Sequence, residues 1–313
     1  MSVLLRFVAL AVPSVAALTL AVTRSDAQTC NHDCPAGARD AHGCCPAATH
    51  VVVPTVTRPL VTATAIATSG AFVTCPAGFA RVPGATFMMG SPTGEGAADE
   101  HPQHAVAVGT FCMERLEVTV SQYQACVTAG MCAAVKSDVG CNSNKGPDRL
   151  NHPVNCVSYP MAVSYCNWTG ARLPTEPEWE YAARGTDGRR YAWGNAAPNA
   201  MIMNGCGDEC VSYAARIPET KAALFTGNDG FEETAPVGSF PRGASPFGVL
   251  DMTGNVFEWT SSPYCNYPAH ECTSNYRMYR GGGWYSSAGV TVATRNGNNA
   301  TETSVVVGIR CAK

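Results

Sequence analysis

Sixteen cysteines and one short carboxylate-bearing loop are the groups best able to do chemistry in this chain of 313 residues. A thiolate is a nucleophile and a soft metal ligand, whereas a disulfide is a staple, and compartment and spacing decide which a cysteine becomes. Cys30, Cys34, Cys44 and Cys45, with His32 and His42 among them, offer enough sulfur and imidazole for zinc. Cys44 and Cys45 are adjacent and no paired C-x₂-C array is present, so two disulfides are the favoured reading. Cys112, Cys126, Cys132, Cys141 and Cys156 crowd one segment, and Cys206/Cys210 and Cys265/Cys272 are close neighbours. Local disulfides are expected there as well, with the pairings inside the cluster left open. The loop from Asp251 to Glu258 carries two carboxylates flanking Gly254 and Asn255. Hard oxygen donors on a loop bent by glycine suit calcium, and solvated turn residues are the alternative. A third constellation, Arg280-Gly281-Gly282-Gly283-Trp284-Tyr285-Ser286 with Arg295 and Asn296 downstream, could form a ligand groove. Glycines admit a ligand backbone and the two aromatic rings offer rigid faces; equally, the glycines could turn a strand and Trp284 belong to the core. Neither a G-x-S-x-G elbow nor an H-E-x-x-H metal motif occurs, so hydrolysis has no sequence support.

The elements that must position these groups follow from patterning. Arg6 precedes an apolar run from Phe7 to Val22, and Ser25-Asp26-Ala27 puts small residues at the −3 and −1 positions of a signal-peptidase cut. Residues 1–27 are therefore expected to be a signal peptide, and the mature protein to be secreted or periplasmic, with no later segment able to span a bilayer. Residues 28–46 form a small Cys-rich segment and 47–74 a linker rich in Thr, Val, Ala and Pro. A single domain is expected over 75–313. Three helices are predicted in it. One begins at Thr119 and stops at Gly130, and a second is capped by Ser158 and runs from Pro160 to Trp168. A third starts from the capping box Thr175-Glu176-Pro177-Glu178 and ends at Gly185. Strands are expected near Thr86–Met89, Ala105–Phe111 and Val305–Cys311. The fold class is α+β with low regular content, held by staples. A formal charge of −3 and the lack of any Lys/Arg run argue against a nucleic-acid partner.

Several strings occur in the order of one known family. They include Phe87-Met88-Met89-Gly90-Ser91, His152-Pro153-Val154-Asn155, Arg172-Leu173-Pro174-Thr175-Glu176 continuing to Gly185, Trp193-Gly194-Asn195, Asp251 through Trp259, Arg280-Gly281-Gly282 and Gly308-Ile309-Arg310-Cys311. Over about residues 80–313 the chain resembles the formylglycine-generating enzyme, or sulfatase-modifying factor, family. The resemblance implies that family's variant of the C-type lectin fold and structural calcium. It also implies oxidation of a cysteine to formylglycine, with oxygen and copper(I) held by two thiolates.

On this chain the two copper cysteines fall on Ser286 and Thr291, and the serine usually found before them falls on Gly283. A hydroxyl is a hard ligand that stays protonated near neutral pH, so copper is not expected. The resemblance maps one calcium onto Asp251, the carbonyls of Gly254 and Val256, and Glu258. It maps a second onto Asn204, the Gly205 carbonyl, Asp229 and the Phe231 carbonyl. It also implies a disulfide between Cys166 and Cys311, and the family keeps an arginine where Arg295 stands. The function expected is an exported, non-copper binding or accessory module for a peptide, glycan or protein, with Trp284, Tyr285, Ser286 and Arg295 as groove residues. The alternative is an oxidative peptide-modifying enzyme with a non-standard site. The iron-dependent sulfur-inserting members of the family need an additional helical domain that residues 28–74 cannot provide.

Overall fold

A computed structural model describes residues 73–136, 138–217, 219–267 and 274–313. The predicted signal peptide, the Cys-rich segment and all but the last two residues of the linker lie outside the described residues, as does Cys272. Among the described residues eight strands and four α-helices occur, in the order β1 (Phe79–Val82), β2 (Ala85–Met89), β3 (His104–Val108), β4 (Phe111–Glu114), α1 (Val120–Thr128), α2 (Tyr159–Trp168), α3 (Glu176–Arg184), α4 (Asp208–Ala214), β5 (Phe257–Pro263), β6 (Tyr276–Arg280), β7 (Arg295–Asn299) and β8 (Val307–Gly308). Strands β1 and β4 pair antiparallel, as do β2 and β3. The third sheet has the order β7-β6-β5-β8, with β5 and β8 parallel and Glu258 opposite Arg280.

Local chemistry sets the helix ends. Thr119 accepts from the Gln122 amide at 3.2 Å while the Gln122 side chain accepts from the Thr119 amide at 2.8 Å, which closes a capping box at the start of α1. Thr175 and Glu178 repeat this at α3, and Gly185 ends that helix with a φ of 69° that an L side chain rarely adopts. Ser158 stands at the N-cap of α2, but its side chain makes no capping bond, contrary to the sequence expectation. The expected strand over Ala105–Phe111 is two strands, because the chain turns at Gly109-Thr110 and Thr110 Oγ1 accepts from the Gly84 amide. The expected strand over Val305–Cys311 shrinks to Val307–Gly308. Beyond it the chain bonds to several different partners: Glu114 N donates to the Cys311 carbonyl, Ala312 N to the Arg172 carbonyl and Lys313 N to the Cys112 carbonyl. Residues 307–313 are thus stitched between β4, β5 and the approach to α3.

Two apolar clusters fill the interior. One gathers Phe87, Met89, Trp179, Tyr181 and Met252; the other gathers Tyr123, Cys166, Trp259, Ile309 and Cys311. Five disulfides between described residues pin the irregular backbone: Cys75–Cys112, Cys126–Cys132, Cys141–Cys156, Cys166–Cys311 and Cys206–Cys210. Cys112 therefore leaves the predicted local cluster and ties β4 to the residues ahead of β1. Cys265 is also disulfide-bonded.

Candidate functional site

After β6 the chain turns on Gly281 and Gly282, at φ 107° and 77°. A Cβ at Gly281 would lie 3.0 Å from the Trp179 ring, so glycine is what lets this turn rest on α3. The turn delivers the segment from Gly283 to Thr294. In it Ser286 Oγ accepts from the Gly283 amide at 3.1 Å, and Thr291 Oγ1 lies 3.1 Å from Thr294 Oγ1. Each hydroxyl is held by its own segment rather than by a histidine or carboxylate, and no cysteine among the described residues is free.

Two of the four predicted groove residues are taken into the interior. Trp284 is 4 % exposed and packs against Tyr213 and Tyr285. Arg295 is 6 % exposed; it donates to Glu176 at 2.7 Å and to the carbonyls of Asp99 and Cys265, and lies 3.8 Å over the Tyr267 ring. A guanidinium so fully partnered has nothing left for a ligand, and its positioning here is structural. Tyr285 and Ser286 stay half-buried, with the Tyr285 hydroxyl donating to Glu219 at 2.6 Å and Lys221 4.0 Å over its ring.

Thr291 borders a cleft of about 340 Å³ whose other lining residues include Ser91, Glu95, Arg184, Arg189 and Arg190. Arg184, at the end of α3, is 4 % exposed and pairs with Glu180 at 3.1 Å, yet its buried Nε has no partner. Arg189 pairs with Asp187 at 2.6 Å, while the exposed Arg190 lies 3.6 Å from Glu95. Guanidinium donors and a hydroxyl suit the recognition of carbonyl or anionic groups; they supply neither a thiolate nor a soft metal ligand. Sequence reasoning passed over these arginines, although Arg184 lies inside one of the family strings and Arg189-Arg190 is an adjacent basic pair.

Among the described residues no three His, Cys, Asp or Glu side chains converge as a metal-holding group. The two calcium sets differ in how they suit a cation. Glu258 in the first set accepts from Arg310 Nη2 at 2.6 Å, from Arg310 Nε at 2.9 and 3.0 Å, and from Trp179 Nε1 at 2.6 Å. Asp251 accepts from the Gly238 amide at 2.6 Å. With its lone pairs filled by an arginine, Glu258 does not fit a calcium ion. The second set fits better. Asp229 accepts from the amides of Gly205 and Phe231, each at 2.9 Å, but no cationic side chain pairs with it. Asn204 Oδ1 and Glu209 Oε2 beside it are buried without partners. Burial, then the Glu209 charge, pushes the Asp229 carboxyl up to about 6. Orphaned hard oxygens around a carboxylate are what a divalent oxygen-seeking cation would satisfy. Glu209 was not among the predicted ligands, since it comes from the Cys206–Cys210 insertion.

Around Arg310 four acidic side chains gather. Burial pushes Glu114 up to about 7 and Asp251 up to about 6, and Glu117 well above the usual carboxylate range, where the charges of Asp251 and Glu258 add to it.

Residues 67–313 match the family described as the sulfatase-modifying factor enzyme 1-like domain. The chain is similar to the formylglycine-generating enzyme of Mycobacterium tuberculosis, with 34 % identity over 238 residues covering 60 % of this chain and 74 % of that protein. It is similar to the inactive C-alpha-formylglycine-generating enzyme 2 of Bos taurus, with 36 % identity over 173 residues, 53 % of this chain and 51 % of that protein. Among solved structures, PvdO from Pseudomonas aeruginosa superposes with a TM-score of 0.58 at 26 % identity, covering 75 % of this chain and 93 % of that one.

Proposed function

The chain belongs to the family of sulfatase-modifying factor enzyme 1-like domains and has its variant of the C-type lectin fold, and from that premise we propose that it is an exported binding or accessory module rather than a copper-dependent oxidase. The observation that carries this reading is the hydroxyl at both positions where the resemblance puts the copper thiolates, with every described cysteine tied in a disulfide. Copper(I) needs the thiolates. The likeness to a relative whose name calls it inactive supports the same reading. The partner is a peptide, protein or glycan received at the Thr291 cleft, where arginine donors set orientation. Export is supported by residues 1–27 and by the density of disulfides.

The test is a mass measurement on a cysteine-containing sulfatase-type peptide incubated with the purified protein, copper(I) and oxygen. The expected result is an unchanged peptide mass, beside a Ser286→Cys/Thr291→Cys variant that gains copper binding. Conversion of the peptide to the aldehyde by the unmodified protein would replace this reading with the oxidative-enzyme one.

Calcium in this reading is structural and is held by the second set, with Asp229, Asn204 Oδ1 and the carbonyls of Gly205 and Phe231 joined by Glu209. A bound divalent ion would offset the two carboxylates and satisfy the orphaned oxygens. Chelator is expected to lower the melting temperature of the wild type and leave that of Asp229→Asn unmoved. Equal responses of the two proteins would remove calcium from this site.

A further inference from the structure

A larger groove of about 690 Å³ lies away from the Thr291 cleft, between β1, β4 and the start of α1. Its lining includes Phe79, Leu116 and Leu250, which are apolar, and Glu114, Glu117 and Tyr165, which are not. Glu114 Oε2 accepts from the Cys311 amide at 2.7 Å, while Oε1 makes no hydrogen bond among the described residues. Both Glu117 oxygens are engaged, by Asn255 Nδ2 at 2.6 Å and by the Val256 amide at 3.2 Å. Tyr165 is 2 % exposed and lines the groove, yet its hydroxyl has no hydrogen-bond partner among the described residues. A phenol at the groove wall that bonds no described protein group leaves a donor and an acceptor open to a ligand.

We propose that this groove binds a primary ammonium group carried on an aliphatic stem, with the ammonium at Glu114 Oε1 and the Tyr165 hydroxyl and the stem along Leu116 and Leu250. Glu114 has no salt-bridge partner among the described residues: Arg310 Nη1 donates to its backbone carbonyl and leaves the carboxyl to the Cys311 amide, so a bound ammonium would supply the counter-charge that holds this buried carboxyl ionised. Arg115 at the rim is exposed and donates to the Gly248 carbonyl at 3.1 Å. An ammonium has three donors and no acceptor, which suits a carboxylate oxygen and a phenol oxygen that no described protein group occupies. The methylenes of a lysine-like stem cover apolar surface while the head stays hydrogen-bonded. The volume is in the range of ordinary small-ligand sites.

Two sources carry this chemistry, a free alkylamine and a lysine side chain, and the same titration separates them. Calorimetry on the full chain would use n-butylamine, Nα-acetyl-lysine methylamide and the uncharged Nα-acetyl-norleucine methylamide. The lysine compound is expected to bind, and the norleucine compound not to. Glu114→Gln should weaken binding about tenfold. Leu116→Arg, a change at a residue 37 % exposed, should abolish it while leaving the melting temperature in place. Butylamine matching the lysine compound would assign the groove to free amines, and butylamine binding much more weakly would assign it to peptides. Equal binding of the norleucine compound, full binding by Leu116→Arg, or no binding of either amine would overturn the proposal. Any of these leaves the role of the Thr291 cleft as it stands, because the copper and peptide assay does not involve this groove.

Discussion

Replacing Arg310 by methionine is expected to lower the free energy of unfolding by about 3–5 kcal/mol, the scale observed when one partner of a buried ion pair is removed. Both members of the pair are sealed from water, Arg310 at 0 % and Glu258 at 1 % exposure. The arginine also donates to the Glu114 carbonyl at 3.0 Å and to the Leu250 carbonyl at 2.8 Å. Its loss strands two backbone acceptors and leaves the Glu258 carboxyl without its arginine partner beside Glu117 and Asp251. Since native domains are stable by only about 5–15 kcal/mol, the variant should sit near the edge of folding. Urea unfolding measures the change. Arg310→Met/Glu258→Gln should be more stable than Arg310→Met alone, because it deletes the uncompensated charge together with its partner. A single-variant cost below about 1 kcal/mol would mean that the pair contributes little beyond packing.

The second large effect concerns the bond between Cys166 and Cys311, which closes a loop of 145 residues. In the chain-entropy account such a crosslink stabilises by about 5 kcal/mol, against about 2 kcal/mol for the bond between Cys206 and Cys210, whose sequence separation is 4. The disulfides Cys75–Cys112, Cys126–Cys132 and Cys141–Cys156 all lie before residue 166 and do not shorten the long loop. Cys166→Ala/Cys311→Ala is therefore expected to shift the denaturation midpoint far more than Cys206→Ala/Cys210→Ala. Equal shifts would show that native packing at each bond, rather than loop length, sets its contribution.

What could be read from the sequence was what is decided locally. The capping box at Thr175 and Glu178 and the stop at Gly185 involve neighbours three to nine residues apart, and they stand as expected. The helix α4 has no such signature: it follows Gly207 without a side-chain cap and runs for seven residues. Strands β6 and β7 were missed because Arg277, Arg280 and Arg295 to Asn299 show no apolar alternation. Their burial depends on partners far along the chain, such as Glu180 and Glu176, which hold Arg280. The same holds for the site. The hydroxyls at Ser286 and Thr291 were legible by position, whereas Arg295 could not be told from a ligand-binding arginine until Glu176, 119 residues away, was seen beside it. The Glu209 contribution and the Glu114 groove are likewise products of tertiary assembly.

The stitching of residues 307–313 between β4, β5 and the approach to α3 has a consequence for when the fold can form. Cys112, Glu114 and Arg172 find backbone partners in residues 311–313, and Val118 finds one in Ile309. Nascent chain emerging from the ribosome therefore carries its early strands with unmet hydrogen bonds, and Cys166 with no bonding partner, until residue 311 has been made. Closure of the fold therefore waits on residues 309–313, and native pairing of Cys166 waits with it.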